Sequence, residues 1–237
     1  MTEQVLSSTS SIDAIVWKTM PDGGECWVHD TACKLSRPIE RIAILISGRG
    51  SNMAALLEAQ SEGRFHHAQV VLVISNQPEA LGLRTASRAG IKTWAFSPKA
   101  YASREATDEA IQATLKAHDI DFVILAGYSR ILTPILTNPW EHRMINMHPS
   151  LLPKFGGVGM LGHKVHEAVL ASGTETHSGC SVHWVTDLVD GGHLLGQRRC
   201  PVLTNDTPET LAKRVLTQEH LLFPEVLATL IEHSVPS

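Results

Sequence analysis

The chain alternates between short apolar runs and longer amphipathic segments from Arg41 onward. Continuous apolar runs occur at RIAILIS, VVLVIS, IKTWAF and DFVILAG, and their lengths are typical of strands buried on both faces. Segments with helical spacing of apolar residues separate these runs, at 51–60, 80–90 and 103–118. Strands that alternate with helices form βαβ units, so the pattern predicts a parallel sheet with helices on its faces.

The same alternation continues to the end of the chain. Further strands are predicted at RMINMH, CSVHWVT and HLLGQRRCPV, and a helix at residues 163–172. Residues 208–231 are predicted to form a long helix that Pro224 could interrupt. We therefore expect an α/β fold, a doubly wound, mostly parallel sheet with helices on both faces. The first 40 residues show neither period. They are predicted to be an irregular N-terminal extension (1–40) ahead of one domain (41–237).

Composition narrows the classes of function. Hydrophobic residues make up 43% of the chain, enough for a sizeable core, and the formal net charge of −4 lacks the basic excess of a nucleic-acid binder. No apolar run reaches the roughly 18 residues of a membrane span, and the N-terminus lacks the pattern of a secretory signal. Four scattered cysteines favour a reducing compartment, so a cytoplasmic location is predicted.

No metal is expected. Cys26, His29 and Cys33 have a spacing that zinc sites use, but the fourth ligand is missing.

A glycine-rich turn, SGRGSN, follows the first strand and opens the first helix. Unpaired N–H groups and the helix dipole at such a position favour an anion, and Gly48 and Gly50 would let the backbone approach a phosphate. The segment matches neither the dinucleotide fingerprint nor the Walker motif. An ordinary strand-to-helix turn is the alternative interpretation.

Two further segments carry candidate chemistry. NMHPS places Asn146 and His148 two residues apart, on one face of an extended backbone, where an amide N–H and an imidazole could stabilise an oxyanion and deliver a proton. VTDLVDGG offers Asp187 and Asp190, either of which could orient His148 and favour its charged form. The alternatives are a turn before a proline and solvated loop acids. The remaining histidines are irregularly spaced and read mostly as ordinary polar or packing residues.

These segments together resemble the phosphoribosylglycinamide formyltransferase family, also called glycinamide ribonucleotide transformylase. The similarity runs from about Arg41 to about Glu232 and includes ISGRGSNM, DFVILAGYSRIL, INMHPSLLPKF, SGCSVHWV, DGGHLLGQ and TQEHLLFP. The resemblance implies transfer of a formyl group from 10-formyltetrahydrofolate, as co-substrate, to the amine of glycinamide ribonucleotide in purine biosynthesis. It implies small-molecule partners only, without nucleic acid or membrane, and it allows a homodimer.

The resemblance also implies a role for each matching residue. His148 would donate the proton, Asn146 would assist at the formyl oxygen, and Asp190 would raise the pKa of His148. The remaining residues fall into a ribonucleotide group, Gly50, Ser51, Asn52, Leu216 and Glu219, and a folate group, Arg104, Ser129, Arg130, Ile131, Leu132, Asn146, Thr186, Asp187, Leu188, Val189 and Asp190.

Two departures from the family pattern leave questions open. The loop GGVGMLGHKVHE is longer than the commoner form, so either His163 or His166 could replace its usual histidine. The first 40 residues have no counterpart in the minimal domain and are too short for the regulatory domain of the deformylases.

Three other functions are weighed against formyl transfer to the ribonucleotide. One is a formyltetrahydrofolate deformylase, which would not need a phosphate loop. The second is a catalytically inactive folate- or nucleotide-binding module, which would not need Asn146, His148 and Asp190. The third is a methionyl-tRNA formyltransferase, for which a further RNA-binding domain and a basic surface would be expected.

Overall fold

The computed structural model describes residues 17–20, 22, 24–28, 35 and 37–234 of the 237-residue chain. Its strands are Lys18–Thr19 (β1), Glu25–Val28 (β2), Arg41–Ile46 (β3), Gln69–Ser75 (β4), Lys92–Ala95 (β5), Phe122–Leu125 (β6), Met144–His148 (β7), His177–Trp184 (β8) and Leu194–Pro201 (β9). Its helices are Ser51–Ser61 (α1), Leu81–Arg88 (α2), Arg104–Ala117 (α3), Pro134–Thr137 (α4), His163–Ser172 (α5) and Pro208–His233 (α6). Short 3-10 turns lie at Pro98–Ala100 and Asn138–Trp140.

The described strands form one sheet in the order β1-β2-β9-β8-β7-β6-β3-β4-β5. Side chains of β3 alternate between its two faces, as strand geometry requires. Ile42, Ile44 and Ile46 enter a core shared with α1, α2, α5 and α6, whereas Ala43 and Leu45 enter a second core shared with α3 and α4. Helices therefore cover both faces, which confirms the predicted doubly wound α/β fold.

The sheet is mixed. Among the described strands, four pairings are parallel and link the strands from β3 through β7. The other four are antiparallel and link β1 with β2, β2 with β9, β9 with β8 and β8 with β7. The connection between β8 and β9 spans only residues 185–193, too short for the helical crossover that a parallel pair needs. No helix in the described part of the chain has the length and apolar character needed to cross a membrane.

The N-terminal segment contains two strands that its sequence does not predict. β2 pairs antiparallel with β9, from Glu25 opposite Arg199 to Val28 opposite Gly196, and β1 pairs with β2. The expectation that 1–40 is irregular is therefore corrected for these two stretches, while residues 1–16 lie outside the described residues. Only Cys26 of β2 is fully buried, so the strand has no apolar period to detect, and β9 supplies its hydrogen-bond partners.

The fold creates a crevice beside β3. The chain runs from β3 outward to β4 and β5, then returns to place β6 on the other side of β3, which makes this edge a topological switch point. The loops that follow β3 and β6 are joined there, because the Ser129 backbone N–H donates to Ser47 Oγ at 2.8 Å. Ligands of open α/β sheets bind at such a point, near the carboxyl ends of the strands.

Candidate active site

A cavity of about 730 Å³ opens at the carboxyl ends of β6 and β7 and beside the start of α1. Most residues singled out from the sequence line it, namely Asn52, Ser129, Arg130, Ile131, Leu132, Asn146, His148, Thr186, Asp187, Leu188, Val189, Asp190, Leu216 and Glu219. Gly50 and Ser51 lie next to Asn52 in the chain, at the start of α1. Arg104 lies apart from this set, exposed at the first residue of α3.

Asn146 is held by a histidine on the neighbouring strand. The β7–β8 register places Asn146 opposite His183, and Asn146 Nδ2 lies 3.1 Å from His183 Nε2. His183 Nδ1 lies 2.8 Å from the Trp184 carbonyl oxygen, which can only accept, so Nδ1 carries the proton. In the tautomer with its proton on Nδ1, His183 Nε2 accepts from Asn146. The amide has two N–H groups, so one remains for the cavity.

His148 is buried between a carboxylate and a backbone carbonyl. Its Nδ1 lies 3.4 Å from Asp190 Oδ2, and its Nε2 donates to the Phe155 carbonyl oxygen at 2.9 Å. Both ring nitrogens therefore face acceptors, an environment that favours the imidazolium. Burial acts in the opposite direction and is stronger, so the pKa of His148 lies below its ordinary value despite the charge of Asp190. Asp190 thus acts in the direction expected from the sequence, but the cost of desolvation exceeds its attraction.

Asp190 joins three parts of the site. Its carboxylate faces His148, lies 3.6 Å from His183 Nε2, and accepts the backbone N–H of Gly157 at 2.9 Å. Burial raises the pKa of Asp190, but the contacts with His183, His148 and Gly157 together hold it below its ordinary value. Asp190 is therefore ionised at neutral pH, and it links His148 to the loop that begins at Gly156.

The two glycines after Asp190 are required by close packing. A Cβ on Gly192 would lie 1.8 Å from the Trp184 carbonyl oxygen, and one on Gly191 would lie 2.4 Å from Leu188 Cδ2. Asp190 itself has a φ of 54°, an uncommon backbone conformation for a residue with a side chain. The DGG sequence thus allows the tight turn that brings Asp190 to His148.

The start of α1 is suited to an anion. Gly50 precedes the helix with a φ of 71°, no side chain caps the helix, and its first turn contains no acidic residue. Asn52 Nδ2 donates to Glu219 Oε2 at 2.6 Å, which joins α1 to α6 at this end of the cavity. Burial raises the pKa of Glu219, partly offset by Asn52. Asn52 Oδ1 is buried and has no partner among the described residues, so it is available to a ligand.

Two histidines of α5 line the same cavity. His163 is exposed at the start of the helix, whereas His166 is buried and its Nδ1 has no partner among the described residues. Burial, together with the nearby His163 and His148, lowers the pKa of His166 to about 4. His166 is therefore a neutral imidazole with one nitrogen free for hydrogen bonding.

The mouth of the cavity is apolar. Val158, Leu161 and Leu188 are exposed by 78%, 53% and 70%, and Ile131 is exposed by 42%. All four line the cavity. Exposed apolar side chains clustered at a cavity indicate a ligand with apolar parts.

His183 is a residue of the site that the sequence does not single out, and the sequence leaves the choice between His163 and His166 open. His183 lies among irregularly spaced histidines, and the signal that could have identified it is the pairing of its strand with the strand of Asn146. Asp187, the alternative carboxylate, accepts a hydrogen bond from Thr137 Oγ1 and lines the cavity. His29 and Cys33 lie outside the described residues. Among those described, no group of three or more His, Cys, Asp or Glu side chains could hold a metal ion.

Comparison with known proteins identifies the family to which this chain belongs. The formyl transferase family matches residues 40–227 of this chain. A phosphoribosylglycinamide formyltransferase from Brucella melitensis, whose crystal structure is known, is 44% identical, with a TM-score of 0.75 over 84% of this chain and 99% of that one. The chloroplastic phosphoribosylglycinamide formyltransferase of Vigna unguiculata is 38% identical over 87% of this chain and 66% of its own length.

A longer relative shares the same region. The trifunctional purine biosynthetic protein adenosine-3 of Drosophila pseudoobscura pseudoobscura is 44% identical over 197 residues, which are 83% of this chain. The match spans only 14% of that protein's length. The family match and these relatives show that the chain belongs to the formyl transferase family, in the branch of the phosphoribosylglycinamide formyltransferases.

Proposed function

We propose that this chain transfers the formyl group of 10-formyltetrahydrofolate to the amine of glycinamide ribonucleotide, with Asn146, His148 and Asp190 as the catalytic group. The observation that carries the proposal is the single cavity that contains both the Asn146–His148–Asp190 cluster and the Asn52–Glu219 pair at the start of α1. One end is built for acyl chemistry, and the other suits a phosphorylated amine.

Asn146 and His148 stabilise the negative charge that develops on the formyl oxygen when the amine attacks. The N–H of Asn146 that His183 leaves free is fixed in direction before substrate arrives, so no reorganisation is required during the reaction. Removing one such donor costs about 2.7–4 kcal/mol of transition-state stabilisation. Asp190 holds the second donor, His148, from its opposite nitrogen.

The proton on His148 Nε2 is directed at Phe155 in this structure. Donation to substrate therefore requires that Nε2 leave the Phe155 carbonyl oxygen. The loop after Phe155 has three glycines with positive φ, at positions 157, 159 and 162, and its Gly157 N–H is bound by Asp190. Loop movement and release of the His148 proton are thus linked through Asp190.

The ribonucleotide occupies the end of the cavity formed by α1 and α6. Backbone N–H groups of Gly50, Ser51 and Asn52 bind the phosphate, and Glu219 with Leu216 contacts the remainder of the molecule. Of the two loop histidines, we assign His166 to this end, because its buried Nδ1 is available for a hydrogen bond. Orphaned polar atoms on Asn52 and His166 fit a polar ligand.

The folate occupies the apolar mouth. Ser129 to Leu132 and Thr186 to Asp190 contact its ring systems, and the exposed side chains of Ile131 and Leu188 provide the apolar surface that flat rings require. The carrier supplies an activated formyl group and a nitrogen leaving group. Arg104 is exposed on α3 outside the cavity, so a contact with folate would involve a part of the molecule that projects from the mouth.

The decisive experiment follows consumption of 10-formyltetrahydrofolate with and without glycinamide ribonucleotide. The proposal expects consumption that depends on the amine and a formylated ribonucleotide as product. Consumption without amine would identify a deformylase, and saturable binding without any turnover would identify an inactive module. Methionyl-tRNA in place of the ribonucleotide tests the nucleic-acid alternative.

Three further expectations belong to this proposal. The cytoplasmic location rests on the scattered cysteines, whereas the Vigna unguiculata relative is named chloroplastic. A homodimer and the boundary between residues 40 and 41 likewise stay predictions. Sedimentation and limited proteolysis of the full chain test them.

A further inference from the structure

The hairpin of β1 and β2 brings a charged residue into contact with a buried arginine of β9. Asp22 lies in the turn of this hairpin, where Met20 N–H donates to the Gly24 carbonyl oxygen and Gly24 N–H donates to Asp22 Oδ1. Asp22 Oδ2 accepts a hydrogen bond from Arg198 at 2.7 Å. The side chain of Arg198 is only 3% exposed, so Asp22 neutralises a buried cation.

Arg198 also contacts the helix that carries the ribonucleotide residues. Its Nε donates to Gln218 Oε1 at 3.0 Å, and Gln218 is itself buried. A Cβ on Gly24 would lie 3.0 Å from Gln218 Oε1 and 3.1 Å from the Arg198 guanidinium, so the hairpin closes directly on this pair. The contacts form a continuous path from Asp22 through Arg198 to Gln218.

The path ends at the substrate end of the cavity. Gln218 precedes Glu219 on α6, and Glu219 bonds Asn52 at the start of α1 at 2.6 Å. A displacement of α6 at Gln218 would move the carboxyl group of Glu219 away from Asn52. The family match begins at residue 40, so this support comes from a part of the chain outside the matched domain.

We propose that Asp22 is a positioning residue for the ribonucleotide site, acting through Arg198 and Gln218 on Glu219. This inference rests on the proposed assignment of Glu219 to the ribonucleotide. The N-terminal hairpin then has a role in substrate affinity in addition to covering the edge of β9.

A matched control lies on the same hairpin. Glu25 pairs with Arg199, the neighbour of Arg198 on β9, and Arg199 also lies over the ring of Trp17 at 4.8 Å. Successive residues of a strand point to opposite faces, so this second ion pair does not reach Gln218. Glu25→Ala and Asp22→Ala therefore each remove one ion pair between the hairpin and β9, but only Asp22→Ala cuts the path to α6.

The test measures kcat and both KM values for the 237-residue chain. Asp22→Ala should raise KM for glycinamide ribonucleotide roughly tenfold, the scale of one charge-assisted hydrogen bond, with a much smaller change in KM for the folate. Glu25→Ala should leave both KM values near those of the wild type. Asp22→Asn, which keeps an acceptor for Arg198, should recover most of the affinity. It also provides a folded variant if Asp22→Ala is too unstable to assay.

A double-mutant cycle tests the path itself. Arg198→Met should raise the ribonucleotide KM as much as Asp22→Ala, and the double variant should be no worse than either single one. Equal changes in the two KM values, or equal effects of Asp22→Ala and Glu25→Ala, would overturn the inference. Glu219→Gln separates this failure from failure of the site assignment. If Glu219→Gln leaves the ribonucleotide KM unchanged, the assignment of this end is wrong and the inference falls with it.

Discussion

Replacing Asp190 with Asn removes one negative charge from the centre of the site and changes little else in shape. The wild-type carboxylate lies 3.4 Å from His148 Nδ1, 3.6 Å from His183 Nε2 and 2.9 Å from the Gly157 nitrogen. An amide can still accept from Gly157, but it no longer attracts an imidazolium. Burial, which already lowers the pKa of His148, then acts without the opposing charge of Asp190.

The distance between Asp190 and His148 sets the size of the expected loss in kcat. Two unit charges 3.4 Å apart attract by about 5 kcal/mol at an effective dielectric of about 20, which bounds the loss at roughly 10³- to 10⁴-fold. Loss of one oxyanion donor typically costs about 10²- to 10³-fold in kcat. We therefore expect Asp190→Asn to lower kcat by roughly 10²- to 10³-fold, with a smaller effect on ribonucleotide binding.

The pH profile of activity shows in which direction the pKa of His148 shifts when the charge of Asp190 is removed. His148 is protonated below its pKa, so activity that needs its proton is lost as pH rises through that pKa. Asp190 raises this pKa, and its removal should move the alkaline limb of kcat/KM to lower pH. The assay is a pH–rate profile of both proteins, with NMR titration of His148.

Asp187→Asn is the matched control for this experiment. Asp187 lines the same cavity but accepts a hydrogen bond from Thr137. Its replacement should therefore leave the alkaline limb of kcat/KM at the wild-type pH and change the KM for the folate instead. Two results would refute the pairing of Asp190 with His148. One is an alkaline limb of kcat/KM at the same pH in wild type and Asp190→Asn, and the other is a kcat of Asp190→Asn within about threefold of the wild-type value.

Three further changes test other parts of the structure. His183→Phe removes the acceptor that holds Asn146, so kcat should fall roughly three- to tenfold at nearly constant KM values in steady-state assays. Gly192→Ala would place a Cβ 1.8 Å from the Trp184 carbonyl oxygen, so thermal melting should show a loss of several kcal/mol, about 3 or more. His166 has a pKa of about 4 against an ordinary 6.5, so its contribution to stability is complete above pH 6.5 and is lost as pH falls towards 4. Urea unfolding at pH 7 and pH 4.5 should therefore show a pH-dependent loss of up to about 3 kcal/mol in wild type that His166→Gln lacks; equal losses in both proteins would contradict it.

The N-terminal segment shows where local patterns are insufficient. Residues 25–28 carry neither an apolar period nor a turn signal, yet they form a strand because the edge of β9 offers unpaired N–H and C=O groups. The ion pair between Asp22 and Arg198 joins positions 176 residues apart, a separation that no sequence window covers. A chain that begins near Ser36 would expose this edge and remove the ion-pair partner of Arg198.

The candidate site also has features that the sequence identifies and features that it does not. Asn146, His148 and Asp190 could be singled out because amide, imidazole and carboxylate groups at strand ends are chemically distinctive. The sequence could not show that the pKa of His148 lies below its ordinary value. That outcome depends on the burial of the ring and on its distance from Asp190. His183 was missed because its importance comes from lying opposite Asn146 in the sheet.

The sequence by itself determined where β3 to β9 and the long helices lie, since most of them carry an apolar run or period that reflects their own burial. It also determined the SGRGSN turn and the DGG turn, because glycines are required there by backbone conformation or close packing. Only the tertiary structure decided the partners across the sheet, the attachment of the hairpin to β9, and the contact of His148 with Phe155. Local patterns record what each segment buries, whereas these features depend on which distant segments meet.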